Sequence, residues 1–219
     1  MSEAALVECV GASRVYGNGS AATLALEPCD CRVEPRQRIA LMGPSGSGKS
    51  TLLHLMAGLD QPTQGRVDWP AIGPREALRP GPVAVVFQGP SLLPPLTILE
   101  NVQLPLILNG STPNEAAARA ENALEVLGLT DLSDKLPEEV SGGQAQRAAV
   151  ARALAGKPTL LLADEPTGQL DHAAAREVVD ALLATAEASG GALVVATHDR
   201  EVAAALGERW EIHSGRLGR

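Results

Sequence analysis

Eight consecutive residues constrain this chain more than any others: Gly43, Pro44, Ser45, Gly46, Ser47, Gly48, Lys49 and Ser50, with Thr51 next. They satisfy G-x-x-x-x-G-K-[ST] at every defined position, between the apolar run RIALM and a stretch with helical character. A strand that feeds a glycine-rich turn opening a helix lets successive backbone N–H groups curl inward on phosphate oxygens, and the helix start adds the positive end of its dipole. Lys49 supplies a point charge to the phosphates, and the Ser50 hydroxyl is placed to ligate Mg2+. The dinucleotide spacing G-x-G-x-x-G fails, because Gly46 and Gly48 would need a third glycine where Thr51 stands. The expected ligand is a nucleoside triphosphate.

The rest of the chain supplies a matching frame. RIALM precedes Gly43, VAVVF precedes Gln88, TLLLA precedes Asp164 and ALVVAT precedes His198, each reading as a short buried parallel strand. Helical stretches over residues 50–57, 172–188 and 200–206 separate them, so an α/β fold is expected, a mostly parallel sheet covered on both faces. A chain of 219 residues, 45% hydrophobic and 20% charged, can build one such core with a small inserted lobe. The insertion falls over residues 90–157, which offer proline-rich turns and helix patterns but no convincing strand. Residues 1–89 and 158–219 then form the nucleotide-binding core of a single domain. Within the lobe one helix is expected over 114–127, capped by Ser111 or Thr112, with Pro113 in its first turn and Gly128 ending it. A second begins just after Ser141, Gly142 and Gly143. Residues 68–82, with Pro70, Pro74, Pro80 and Pro82, read as a loop.

In such folds function gathers at the carboxyl ends of the strands. Two adjacent carboxylates at one strand end, Asp164 and Glu165, call for a metal or a reaction. Asp164 is expected to hold Mg2+ through water, and Glu165 to orient and deprotonate the water that attacks the γ-phosphate. Successive residues on a strand point opposite ways, so both can serve one site only if the strand is already ending. Gln88 and His198 stand at two further strand ends: Gln88 is expected to complete Mg2+ coordination, and His198 to contact the γ-phosphate.

Several partners are disfavoured. A net charge of −8 has the wrong sign for neutralising nucleic-acid phosphates, and 2% aromatics leave few stacking platforms. Three cysteines, Cys9, Cys29 and Cys31, with no C-x-x-C pair, suggest a reducing compartment. The first ten residues lack a basic region, and no apolar run is long enough to span a bilayer, so a membrane role is expected to run through a partner, from the cytoplasmic side.

Ser141, Gly142 and Gly143 open a helix and so form an anion-binding site with no ligand in their own chain. With that stretch in place the motifs make a set: GPSGSGKST, Gln88, VSGGQAQR, LLLADEP, TGQLD to Asp171, and His198. The chain resembles the nucleotide-binding subunit of ATP-binding cassette transporters over essentially its whole length. The resemblance implies ATP hydrolysis with Mg2+, and a head-to-tail pair of subunits in which Ser141, Gly142, Gly143 and Gln144 of one copy close over the ATP held by the phosphate turn of the other. It puts Leu170 and Asp171 at the seam, implies that Tyr16 stacks on adenine, adds a small antiparallel β portion, and makes an integral membrane permease the second partner.

Val140 stands where the family usually has Leu, Gln169 where close relatives have Asn, and the loop over 68–82 is short, which suggests a trimmed antiparallel portion. The wording FQGPSLLPPLTILENVQLPL with DEPTGQLD is most similar to the subgroup of lipoprotein-releasing, macrolide-efflux and cell-division ATPases. An exporter or extractor, or a transmitter of motion across the membrane, is therefore expected; the alternative is a cell-division-type ATPase that controls extracytoplasmic hydrolases without transport. The apolar stretch over 92–108 is a candidate docking surface for the permease.

Overall fold

The four apolar runs become four neighbouring parallel strands. A computed structural model describes residues 4–89 and 91–218; Pro90, the first residue of the expected lobe, and the chain ends at 1–3 and 219 lie outside the described residues. In chain order the strands are β1 (Val7–Tyr16), β2 (Thr23–Val33), β3 (Arg38–Met42), β4 (Gln64–Asp68), β5 (Val83–Val86), β6 (Leu160–Asp164), β7 (Ala192–Thr197), β8 (Glu208–His213) and β9 (Arg216–Gly218). The helices are α1 (Lys49–Met56), α2 (Ile98–Leu108), α3 (Pro113–Val126), α4 (Gly142–Ala155), α5 (His172–Ala188) and α6 (Arg200–Leu206).

The main sheet runs β5-β6-β7-β3-β8-β9, parallel except for β9, which returns antiparallel to β8. Every residue of β6 and β7 is buried, which is why both read as unbroken apolar runs with no alternation. The two-residue side-chain period divides them between two cores. Leu160 and Leu162 face Leu52, Leu53 and Met56 of α1 and the inner side of the small sheet, whereas Leu161 and Ala163 join Val102, Leu124, Val150, Val178 and Leu182 on the other side.

The small sheet has the order β2-β1-β4 and is antiparallel throughout. Its strands carry no clean apolar run, because the register between β1 and β2 shifts three times from Cys9 to Val15. Such irregularities break the alternation that a sequence pattern relies on. The third strand, β4, has five residues. Asp68, the first residue of the expected loop over 68–82, ends β4; the rest of that stretch has no strand and one 3-10 turn, Arg75–Ala77. It is pinned to the end of α1: Trp69 Nε1 donates to Met56 O at 2.7 Å, Arg75 Nε to Gly58 O at 2.8 Å, and Arg79 Nη1 to Ala57 O.

Helices α2, α3 and α4 pack on one another between β5 and β6 in sequence. The α3 cap is Thr112, in a reciprocal box with Glu115, where Ser111 was the other choice. Thr97 and Glu100 cap α2 the same way, and buried Asn101 donates to the carbonyls of Leu93, Leu96 and Thr97, tying down the proline-rich turn before it. Of the stretch over 92–108, Ile98, Val102 and Leu106 are core, while Leu93, Ile107 and Leu108 are exposed. Among the described residues no helix is long and apolar enough to cross a membrane.

Candidate functional site

β3 delivers the chain into the phosphate turn, and β8 and β9 brace that turn from behind. A Cβ on Gly43 would run into the carbonyl of Ile212, and Gly48, at φ +110°, enters α1 in a conformation that side chains rarely adopt. The Gly215 N–H donates to Ser47 O at 2.8 Å, so the β8–β9 turn holds the middle of the loop. Lys49 is buried, and its ammonium donates to Gly43 O at 2.8 Å and Pro44 O at 3.1 Å, closing the turn on itself.

At the next strand end the backbone resolves the geometry of the two carboxylates. β6 stops at Asp164, and Glu165 takes φ +45° while its N–H donates to Ala196 O at 2.9 Å. That left-handed residue breaks the alternation, so Asp164 and Glu165 line one cavity of about 530 Å3 together with Ser45, Gly46, Lys49, Ser50, Gln88, Gly168 and His198. Four strand ends thus meet at one place. A left-handed non-glycine residue is strained, and here the strain sits at a residue that lines the cavity.

Glu165 is held between Lys49 and His198. Its Oε1 lies 3.9 Å from Lys49 Nζ, and His198 Nδ1 is 3.1 and 3.0 Å from its Oε1 and Oε2. Asp164 is 5% exposed, and burial pushes its carboxyl above the ordinary range, against the opposing influence of the Ser50 hydroxyl and His54. Its Oδ1 is buried with no protein partner. A buried carboxylate oxygen with nothing to bond, beside a hydroxyl and within one cavity of the Gln88 amide, fits a divalent cation that prefers hard oxygen donors and keeps some of its waters. Such a cation would draw on Ser50 and Gln88 as well as the acid, since among the described residues no three His, Cys, Asp or Glu groups cluster for a metal.

Residues 140–147, VSGGQAQR, the signature stretch of the resemblance, lie elsewhere. Ser141 caps α4 and exchanges bonds with Gln144, at 2.8 Å to the Ser141 N–H and 3.3 Å to its hydroxyl. None of residues 141–144 lines the phosphate cavity; Gly142 borders a different groove with Ser91, Leu92 and Gln169. Leu170 packs on Gly143, and exposed Asp171 caps α5 by accepting from Ala174 N at 2.9 Å.

Tyr16, 39% exposed, ends β1 in a cluster that sequence reasoning missed. Its hydroxyl donates to Asp60 Oδ2 at 2.9 Å, Arg14 lies 4.6 Å over its ring, and Arg14 grips both Asp60 oxygens at 2.8 Å. Burial alone would raise the Asp60 carboxyl, but the Gln61 N–H, the Tyr16 hydroxyl and Arg14 together hold it below the ordinary range. Also missed was Gln146, whose amide donates to Phe87 O at 3.3 Å and Pro166 O at 3.4 Å. Its position two residues beyond Gln144 was visible; its reach across the fold was not.

Known proteins bear on this geometry. The family described as ABC transporter matches residues 26–168. The lipoprotein-releasing system ATP-binding protein LolD of Legionella pneumophila is 43% identical over 209 residues, covering 92% of both chains, and that of Xanthomonas campestris pv. campestris is 40% identical over 221 residues, covering 98% of this chain and 92% of its own. Among solved structures, the dimeric ATP-binding cassette MJ0796 superposes with a TM-score of 0.90 at 34% identity, covering 97% of each chain. Its post-hydrolysis dimer bound to ADP and Pi gives 0.89 at 34%, covering 97% and 98%. A family match over more than half of the residues, joined by relatives alike along nearly their full length, leaves one conclusion: the chain belongs to the ABC transporter family, as an ATP-hydrolysing cassette subunit that uses ATP and Mg2+.

Proposed function

We propose that this subunit powers a transporter of the lipoprotein-releasing type, an extractor working on a membrane-anchored substrate, and that it does so as a head-to-tail pair enclosing two ATP. The observation that carries the paired site is the separation of the anion-binding α4 start from the phosphate cavity of the same chain. Each chain holds two halves of a site that do not meet, and a two-fold arrangement lets each half find its complement on a second copy. The dimeric cassettes among the structural relatives support this reading, and the names of the sequence relatives favour lipoprotein release over a purely regulatory role.

In this reading residues 43–51 bind the β- and γ-phosphates through backbone N–H groups and Lys49, and Tyr16 carries the adenine. Ser50, Gln88 and Asp164 would hold Mg2+, which would offset the negative charge of the phosphates. Glu165 orients a water and accepts its proton. His198, bonded to Glu165, fixes that carboxylate and faces the γ-phosphate position. Ser141, Gly142, Gly143 and Gln144 act across the seam, and Leu170 and Asp171 lie along it. Residues 90–157 form the lobe that carries closure to an integral membrane permease, on whose inner face the subunit sits, while residues 1–89 and 158–219 hold the nucleotide. Shared ATP contacts favour the closed pair, and losing the γ-phosphate removes them.

A mixing experiment tests the split site. Lys49→Ala spoils the phosphate half and Ser141→Arg the signature half, so each homodimer lacks both sites. A mixed pair retains one intact site, and turnover that returns only on mixing is the expected result. If the mixture stays as inactive as its components while both variants remain folded, the head-to-tail arrangement is wrong.

A further inference from the structure

Gln146 sits one turn into α4, after the signature start, and is 5% exposed. Its Nε2 donates to two backbone carbonyls: Phe87 O at 3.3 Å and Pro166 O at 3.4 Å. Phe87 is the residue before Gln88, and Pro166 the residue after Glu165. The other long polar side chains of α4 bond differently: Arg147 reaches Leu127 O at 3.0 Å, and Arg152 reaches Ser91 O at 2.6 Å and Ser91 Oγ at 2.8 Å, all within residues 90–157. Among the α4 side-chain hydrogen bonds of the described residues, those of Gln146 alone cross to the turns that end β5 and β6.

We infer that Gln146 is a positioning residue that sets the angle of the signature helix from the state of the two catalytic turns, so that a filled cavity aims Ser141, Gly142 and Gly143 at a second copy. Three observations carry it. One amide grips both turns at once, so a displacement of either one relative to the other moves the donor. The side chain is buried, so water cannot take over when a bond opens, and a lost donor leaves carbonyls unpaired. Both bonds are neutral and lie beyond the usual N–H···O range, which makes them poor stabilisers but a sensitive joint, tightened or loosened by a few tenths of an ångström. Phe87 is itself in ring contact with the phosphate helix, 6.2 Å from His54 on α1, so the joint reaches the turns after β5 and β6 and, through Phe87, α1.

This inference rests on the paired-site reading above, and the test keeps the two apart. In full-length chains Gln146→Leu keeps the volume and removes the donor, Gln146→Glu keeps the shape and turns an acceptor toward two carbonyls, and Gln146→Asn keeps the donor on a shorter stem. ATP affinity is measured on dilute monomer by fluorescence titration, ATP-driven pairing by sedimentation in a Glu165→Gln background, and turnover by phosphate release. Gln146→Leu and Gln146→Glu are expected to bind ATP within about twofold of the parent, to need about tenfold more ATP to pair, and to lose about tenfold in kcat, with Gln146→Asn intermediate. Unchanged pairing and kcat, or losses in ATP affinity, pairing and melting temperature that move together, would leave Gln146 a packing residue and overturn the inference. If the Glu165→Gln parent itself fails to pair with ATP, the paired-site reading fails instead.

Discussion

Lys49 Nζ lies 3.9 Å from Glu165 Oε1, both side chains nine-tenths buried, at the point where the phosphate turn faces the end of β6. The cation proposed to bind phosphate and the carboxylate proposed as the base are thus held in one frame, with His198 bonded to the acid. The start of α1 and the end of β6 set this spacing, which is how preorganised charge acts without rearranging at the moment of reaction.

Glu165→Gln keeps the size of the side chain and a bond to His198 but cannot accept a proton. Turnover is expected to fall by roughly 10²- to 10³-fold, and an ATP-bound pair to accumulate, read by phosphate release and by size-exclusion chromatography with ATP. Hydrolysis at the parental rate would remove Glu165 as the base.

Asp164→Asn tests the buried acid through stability. Because burial raises the Asp164 carboxyl in the folded chain, the native state holds that proton more firmly than the unfolded one. Stability from this group is therefore present below the ordinary carboxylate pKa and lost as pH rises through the elevated one. At neutral pH the variant without nucleotide is expected to melt about 2–4 °C higher than the parent, the shift that roughly 1 kcal/mol gives in a chain of this size. Added Mg2+ should no longer increase the stabilisation given by ATP. A variant that melts lower than the parent from about pH 5 to 8 would contradict the assignment.

Arg14→Met removes the cation over Tyr16 and one grip on Asp60 while keeping an apolar stem. If the ring carries adenine, ATP affinity should drop about three- to fivefold, on the scale of an exposed cation–π contact, whereas binding of inorganic triphosphate should not change. Calorimetric titration with both ligands reads this directly; equal losses for the two would detach Tyr16 from the base.

Gly43→Ala puts a methyl group into the carbonyl of Ile212. Neither backbone can retreat without breaking the β3–β8 pairing, so a loss of about 3–5 kcal/mol is expected from urea unfolding. A change below 1 kcal/mol would mean that the β8–β9 turn does not brace the loop.

How much was legible follows from which residues carry periodic or chemical information. β6 and β7 are buried on both faces, so composition alone marks them, and α5 and α6 run over the residues that their patterns indicate. β1, β2 and β8 were missed because their patterns are broken by bulges or diluted by outward charges, as in the alternating burial of ERWEIH. Arg14, Asp60 and Gln146 carry no local signal. Asp60 follows α1 by four residues, yet its partners Arg14 and Tyr16 lie more than forty positions away.

By itself the sequence determined the chemistry available: a glycine-rich turn with Lys49 and Ser50, two acids at a strand end, and polar residues after two more strands, because each depends on local backbone geometry and residue type. Only the tertiary structure decided how they meet. The left-handed turn at Glu165 brings adjacent carboxylates into one cavity, the β8–β9 hairpin braces the phosphate turn, and Gln146 joins α4 to the turns that end β5 and β6. Those are consequences of parallel strand order and helix packing, which bring together residues far apart in the chain, and no pattern confined to a short window encodes them.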